Sequence, residues 1–179
     1  DFSKPFFVQF RELLESAPLP NLANSNCPGT KYGNHSHDCK NCYLIYASVM
    51  NESVSYSMGA VSSKDSYDLY KALRNVQCYD NVLCGDMNRV FFSYDSDECI
   101  DSAFLISCRN VINCLGCINL KNKSYYIFNT PYTKEEYFKE HAEYDLGSYR
   151  GLTAFREKFK EFILQYPRRF AFIYKSVRV

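Results

Sequence analysis

The sequence predicts a mainly β fold: a right-handed parallel β-solenoid of about four coils, period about 24 residues, flanked by α-helices. Three observations predict it. A small residue followed by a large apolar one recurs about every 12 residues, with the large residues at Tyr43, Tyr56, Tyr67, Tyr79, Phe91, Phe104, Leu115 and Tyr126. Every second interval is regular, because Tyr43, Tyr67, Phe91 and Leu115 each lie 24 residues apart. Asn-Gly and Asp-Gly hairpin signals are absent from residues 39–129, which disfavours the competing antiparallel meander. Two equivalent faces in each 24-residue coil would account for the 12-residue step. Right-handedness follows the general preference of parallel crossovers.

Each segment follows in order. Residues 1–38 read as an N-terminal helix and loop. Phe6, Phe7, Phe10, Leu13 and Leu14 fall at helical spacing, Ser3 can cap, Pro5 suits the first turn, and Pro18 and Pro20 end the helix. Residues 17–38 are rich in Asn, Ser, Pro and Gly and read as loop. Residues 39–129 carry the repeats. There Cys42, Cys78 and Cys114 precede a large residue, so a ladder of small buried thiols under stacked aromatics is expected as the repeat core. Residues 130–169 read as a helical pair. Thr133-x-x-Glu136 is a capping box, Gly147 a break, and Leu152, Phe155, Phe159, Phe162 and Ile163 an amphipathic stripe. Residues 170–179 alternate as the start of a further strand. The chain starts without Met and stops inside that strand, so a fragment of a longer protein is expected.

Composition narrows function mainly by exclusion. The 179 residues carry 21 Lys and Arg against 20 Asp and Glu, a net charge of +1, which argues against a dedicated nucleic-acid binder or a polybasic membrane module. No run of about 18 apolar residues exists to span a membrane. Nine cysteines, an odd number, cannot all pair internally, which favours a reducing cytoplasm or a virion over a disulfide framework. The 16 Tyr and 14 Phe exceed what an ordinary core needs, and the repeat accounts for them.

Several constellations could carry chemistry. His35, His37, Cys39 and Cys42 have the donor types of a tetrahedral zinc site, but their spacing is unusual and no metal is favoured. Cys108, Cys114 and Cys117 lack a fourth ligand and read as buried thiols. Asp95, Asp97, Glu98 and Asp101 form an acidic run, and Asp80, Asp86, Asp95, Asp97 and Asp101 could converge across coils as the carboxylates of a glycosidase or a calcium site, although Asp also favours turns. Lys121 and Lys123 with Tyr125 and Tyr126 could stack single-stranded nucleic acid, which the neutral charge disfavours. No catalytic residue, Gly-x-Ser-x-Gly or P-loop is found, so the chain is expected not to be an enzyme and to hold no cofactor, zinc being the one candidate.

Several stretches resemble one family. They are 1–7 (Asp-Phe-Ser-Lys-Pro-Phe-Phe) with Gln9-Phe10, Cys39-x-x-Cys42-Tyr43-Leu44, and the block 113–129 that begins Asn113-Cys114-x-Gly116-Cys117. Tyr132-x-Lys134-Glu-Glu-Tyr137, Gly147-Ser-Tyr-x-Gly151-Leu152 and Pro167-Arg168 complete the set. Together they resemble an uncharacterised Cys/Tyr-rich repeat family of candidate phyla radiation bacteria and related environmental phages. The resemblance implies a zinc ribbon ahead of residue 1 and a β-solenoid within this stretch. It supplies no activity. Several repeat positions hold Ser, Val or Ala where the family tends to have Cys, which weakens any metal role for the repeat thiols. The expected function is therefore a non-enzymatic structural or protein-interaction scaffold, with a capsid-decoration or tail component of a virion as one setting. Its partners would be other proteins, copies of itself included. The alternatives are a metal- or nucleic-acid-associated factor whose zinc ribbon lies outside this stretch, and a carbohydrate-active β-helix protein.

Overall fold

The computed structural model describes residues 3–18 and 21–167. Its centre is a β-solenoid with a coil of about 12 residues and about nine turns, half the expected coil and twice the expected number. The register is direct: Tyr43 pairs with Ser55, Glu52 with Lys64, Tyr67 with Tyr79, Phe91 with Ala103 and Cys114 with Tyr126, all parallel. Each 12-residue interval is thus a complete turn of the chain. Coiling also begins before residue 39. The Asn24–Ser25 strand pairs in parallel with Ser36–His37, so much of the expected 17–38 loop is already stacked.

The physical basis of so short a coil is a period of three. Between Ser36 and Cys117 nearly every third residue points inward and is buried, as in Cys39, Cys42, Ile45, Ser48, Asn51, Val54 and Ser57. Nearly every residue just before an inward one has a left-handed backbone, among them Asn41 (φ 54), Leu44 (φ 49), Met50 (φ 54), Ser53 (φ 54) and Tyr56 (φ 53). That conformation costs an L-residue about 1–2 kcal/mol. It is the turn that swings the chain into its next three-residue side, four times per coil. The cost is offset by parallel backbone hydrogen bonds such as Lys31 N–H to Cys42 O (2.9 Å) and Leu44 N–H to Lys31 O (3.0 Å).

Four three-residue sides enclose a narrow lumen. Four inward columns line it, filled mostly by Ser, Cys, Ala, Val and Asn, with Ile45, Leu69, Met87 and Leu105 as spaced larger residues. Most inward polar groups are satisfied across coils, the buried Asn75 Oδ1 being an exception. Asn51 donates to Ala60 O (2.8 Å) and accepts from Ser63 N–H (2.8 Å), while Ser66 Oγ accepts from Cys78 N–H (3.0 Å). Cys42, Cys78 and Cys114 occupy one inward column, as the repeat suggested. The large repeat residues do not form the lumen core. Tyr43, Tyr56, Tyr67, Tyr79 and Phe91 lie on the outer wall and are exposed, because the narrow lumen is filled mostly by small side chains with a few of Leu or Met size. Phe104 and Leu115 are also outside but lie buried beneath the C-terminal helices, and Tyr126 is half-buried in an inward slot of the last coil.

The ends differ. At the C-terminal end Thr130–Pro131 folds back antiparallel onto Lys121–Ile127, pairing Tyr126 with Pro131. Helices α2 (Lys134–Ala142) and α3 (Tyr149–Ile163) follow. The capping box is present, with Glu136 N–H donating to Thr133 Oγ1 (3.3 Å) and Thr133 N–H to Glu136 Oε2 (3.0 Å). Gly147 lies between the helices. At the other end α1 (Phe6–Ser16) starts after Pro5, which stands at the N-cap where Ser3 was expected, and none of its residues is buried. The strand expected over 170–179 lies outside the described residues.

Candidate interaction surface

Because successive coils are 12 residues apart, outer residues stack in rows about 4.8 Å apart. One row runs Tyr43, Ser55, Tyr67, Tyr79, Phe91 and Ala103; another runs Tyr46, Met58, Tyr70, Val82, Tyr94 and Ile106. Between them lies a row, here called the ladder, of Leu44, Tyr56, Asp68, Asp80, Phe92, Phe104, Gly116 and Phe128. The three rows form a continuous aromatic face along one side.

Helix α3 covers the C-terminal part of this face through a specific fit. Phe92 and Phe104 stack at 4.7 Å. The next rung is Gly116, and the Phe155 ring enters from α3 to take the missing place, 4.8 Å from Phe104 and 5.1 Å from Phe128. A Cβ on Gly116 would stand 3.0 Å from both the Phe155 and the Phe128 rings. Gly116 has φ 64, a left-handed backbone that Phe104 and Phe128 share at φ 54 and 45, so the tight space adds to the conformation in calling for glycine here. Phe159 reaches Phe104 (5.7 Å), Phe162 reaches Phe128 (5.1 Å), and the Arg156 guanidinium lies over the Phe92 ring at 5.4 Å. Leu115, Ile118, Ile127, Tyr137, Phe155 and Phe159 complete this second core.

Where the helices part from the solenoid they leave a cavity of about 760 Å³, lined largely by Tyr79, Phe91, Phe92, Phe104, Tyr137 and Phe138. Its polar groups are few. Arg89 Nη2 donates to Asp101 Oδ2 at 2.7 Å, and this pairing raises the guanidinium's affinity for its proton. Burial pushes the His141 imidazole below its ordinary value and the Tyr137 phenol above its own. Among the described residues the cavity's lining has one carboxylate, Asp101, which is already paired with Arg89.

The other candidate residues are dispersed. His35 and His37 face outward and are exposed, whereas Cys39 and Cys42 face the lumen, so the wall separates the four proposed ligands. Among the described residues no group of three or more His, Cys, Asp or Glu side chains is placed to hold a metal ion. The acidic residues spread over the four sides of the coil, with Asp86, Asp97 and Glu98 together on one of them. Asp95 pairs with Arg109 (2.9 Å), Asp86 with Arg74 (3.5 Å) and Asp101 with Arg89, while Asp97 accepts from Asp86 N–H (2.9 Å) across the gap left by Gly85. Tyr125 packs against Tyr137 at 5.8 Å beneath α2 and is not free to stack a base. All nine thiols are unpaired. Burial raises Cys84 and Cys108 to about 11 and Cys99 to about 12. A hydrogen bond from the Cys117 thiol lowers Cys114 and raises Cys117.

The Gly116 slot and its Phe155 occupant escaped the sequence reading. The slot has a signal at 12 residues per line, a glycine interrupting a column of Phe, whereas nothing in the repeat points to Phe155 as its occupant. No helix among the described residues is long and apolar enough to cross a membrane. Neither a known protein family nor a curated protein matches the chain.

Proposed function

We propose that this chain is a non-enzymatic scaffold whose aromatic face docks a partner protein. One observation carries the reading. The rows that bind α3 over the C-terminal coils continue over earlier coils with no described helix upon them, leaving Tyr56 55% exposed and Tyr67 48%, while Tyr94 beside the edge of α3 is 53% exposed. Apolar patches of this extent on a rigid support are characteristic of contact surfaces. Tyrosine suits the role, because it adds a large contact area at a small entropic cost and keeps a polar tip. The right-handed winding expected of parallel crossovers would give the rows a steady twist for a partner to follow. A virion decoration or tail component fits the neutral charge, the repetitive face and the resemblance to Cys/Tyr-rich repeat proteins.

Hydroxyl-radical footprinting of the isolated chain and of its native assembly tests this. Tyr56, Tyr67 and Tyr94 should be modified readily in isolation and protected in the assembly. Equal modification in both states would remove the contact role. Replacing the three by Ser should leave the far-UV spectrum unchanged while abolishing incorporation.

A further inference from the structure

The ladder has a second interruption. Asp68 and Asp80 stand where rings would continue from Tyr56 to Phe92, so two successive rungs lack an aromatic. Tyr56 and Phe92 are three coils apart, about 14 Å at the strand spacing. A groove of about 450 Å³ bounded by Leu44, Tyr56, Met58, Asp68 and Tyr70 opens onto the Asp68 end of this interruption. Both carboxylates are exposed.

Helix α1 carries the docking sequence of α3. In α3 the knob reads Phe155-Arg156-Glu157, with Leu152 three residues before Phe155 and Phe159 four after it. In α1 the same offsets give Phe10-Arg11-Glu12, with Phe7 before and Leu14 after. The α3 residues are used, Phe155 being 1% exposed, whereas Phe7 is 80% exposed and Phe10 46%. The Phe6 and Phe10 rings already stack at 5.8 Å and 12°, a pair of parallel rings for a gap that lacks two. Eleven helical residues span about 16 Å, close to the length of the gap. Arg11, next to the knob, would meet Asp68 and Asp80, as Arg156 meets Phe92. Glu12 and Lys4 form an ion pair (3.3 Å), and Glu12 lies about 200° round the helix from Phe10, on the side facing away.

We propose that α1 of one copy seats in the Asp68–Asp80 gap of a second copy, and reciprocally, closing a two-fold dimer by exchange of helices. A second copy is the occupant because it brings the matching knob, the matching length and the complementary charge. In its own chain no residue of α1 is buried. The inference rests on the aromatic face being a docking surface and names the partner for its uncovered part.

The full-length chain tests it by sedimentation velocity at tens of micromolar. A dimer is expected. Arg11→Glu should weaken association at least tenfold with an unchanged far-UV spectrum, and Arg11→Glu combined with Asp68→Arg should restore it. A photo-crosslinking phenylalanine at position 10, in a mixture of ¹⁴N and ¹⁵N chains, should join mixed-isotope peptides from residues 56–92. A monomer, a dimer indifferent to Arg11→Glu, or crosslinks confined to one isotope would each overturn the inference. A monomer whose Tyr67 and Tyr94 are still protected in the native assembly would remove the helix exchange and leave the scaffold reading standing. A monomer without that protection would remove both.

Discussion

Filling the slot at Gly116 should undo the docking of α3, by an amount that the geometry sets. In Gly116→Ala the new methyl would stand 3.0 Å from both the Phe155 and the Phe128 rings. That is about 0.5–1.0 Å inside the optimal carbon separation. Neither ring can retreat freely, because Phe155 is held between Phe104 and Phe128, with Tyr144 edge-on at 5.0 Å. Overpacking of this kind costs about 1–3 kcal/mol, and the left-handed backbone adds about 1 kcal/mol for any residue with a Cβ. Phe155→Ala removes the knob and should cost about 3–5 kcal/mol. The two changes should not add. Without the Phe155 ring, half of the methyl's clash disappears, so the double variant should be about 1–2 kcal/mol more stable than the sum of the single losses predicts. Native-state hydrogen exchange on the α3 amides reads these energies for the helical cap alone, which matters in a stacked array whose parts can open separately. Additivity within about 0.5 kcal/mol would show that Phe155 does not occupy the Gly116 slot.

Other outcomes follow from the lumen and the thiols. Ser66→Phe places a ring in a fully buried inward slot and should destabilise the chain by about 3 kcal/mol or more, whereas Ser55→Tyr extends the outer row between Tyr43 and Tyr67 and should change stability by no more than about 0.5 kcal/mol in urea denaturation. At pH 8 an aromatic disulfide reagent should reach Cys27, the partly exposed thiol, well before Cys84, Cys99 or Cys108, whose values of about 11 to 12 leave almost no thiolate. Mass spectrometry of the labelled peptides gives the order. The depressed folded value of His141 means that the unfolded chain binds its proton more readily. Stability of the cap is therefore full above about pH 6.5 and falls as the pH drops through that value toward the folded one. His141→Gln should flatten this slope in thermal melts between pH 5 and 7.5.

The 12-residue recurrence was legible because the outer aromatics repeat at that interval, and the stripe of α3 was legible because Leu152, Phe155, Phe159 and Phe162 follow helical spacing. The period of three was not. Hydrophobic patterning finds periods of 2 and 3.6, and the inward column of Ser36, Ser48, Ala60, Ala72, Cys84, Ser96 and Cys108 has no apolar contrast with its surroundings. Its neighbours are often more hydrophobic than it is, as with Leu73 beside Ala72, so the usual inside-outside rule runs backwards. Left-handed turns at Leu44, Tyr56 and Phe92 gave no signal either, since those residues seldom adopt that conformation outside a stack that enforces it. Taking one coil as 24 residues follows from the same blindness, because without the four short sides a 12-residue coil looks too small to close. The docking site was hidden differently. Gly116 carries no docking signal until the chain is written at the true coil length, when it becomes a missing rung.

A coil this short separates the duties of the sequence. The lumen restricts four of every twelve positions to small side chains, which is where the cysteines go, and their odd number carries no pairing puzzle because each is an inward filler. The other eight positions are free of the core and can be written for a partner. Rungs repeat at about 4.8 Å, while helical steps of three and four residues rise about 4.5 and 6.0 Å. A helix laid along the ladder therefore stays in phase with it for about three coils, ten residues rising about 15 Å against about 14 Å, before the two drift apart. The observed contacts of α3 reach across that span, from Phe92 to Phe128. Helix α1, with 11 residues, has the same working length. The matching segment for such a face is thus a helix of about three turns with aromatic knobs. A strand lacks the radius to drive a ring into a missing rung, and a much longer helix would lose register with the ladder.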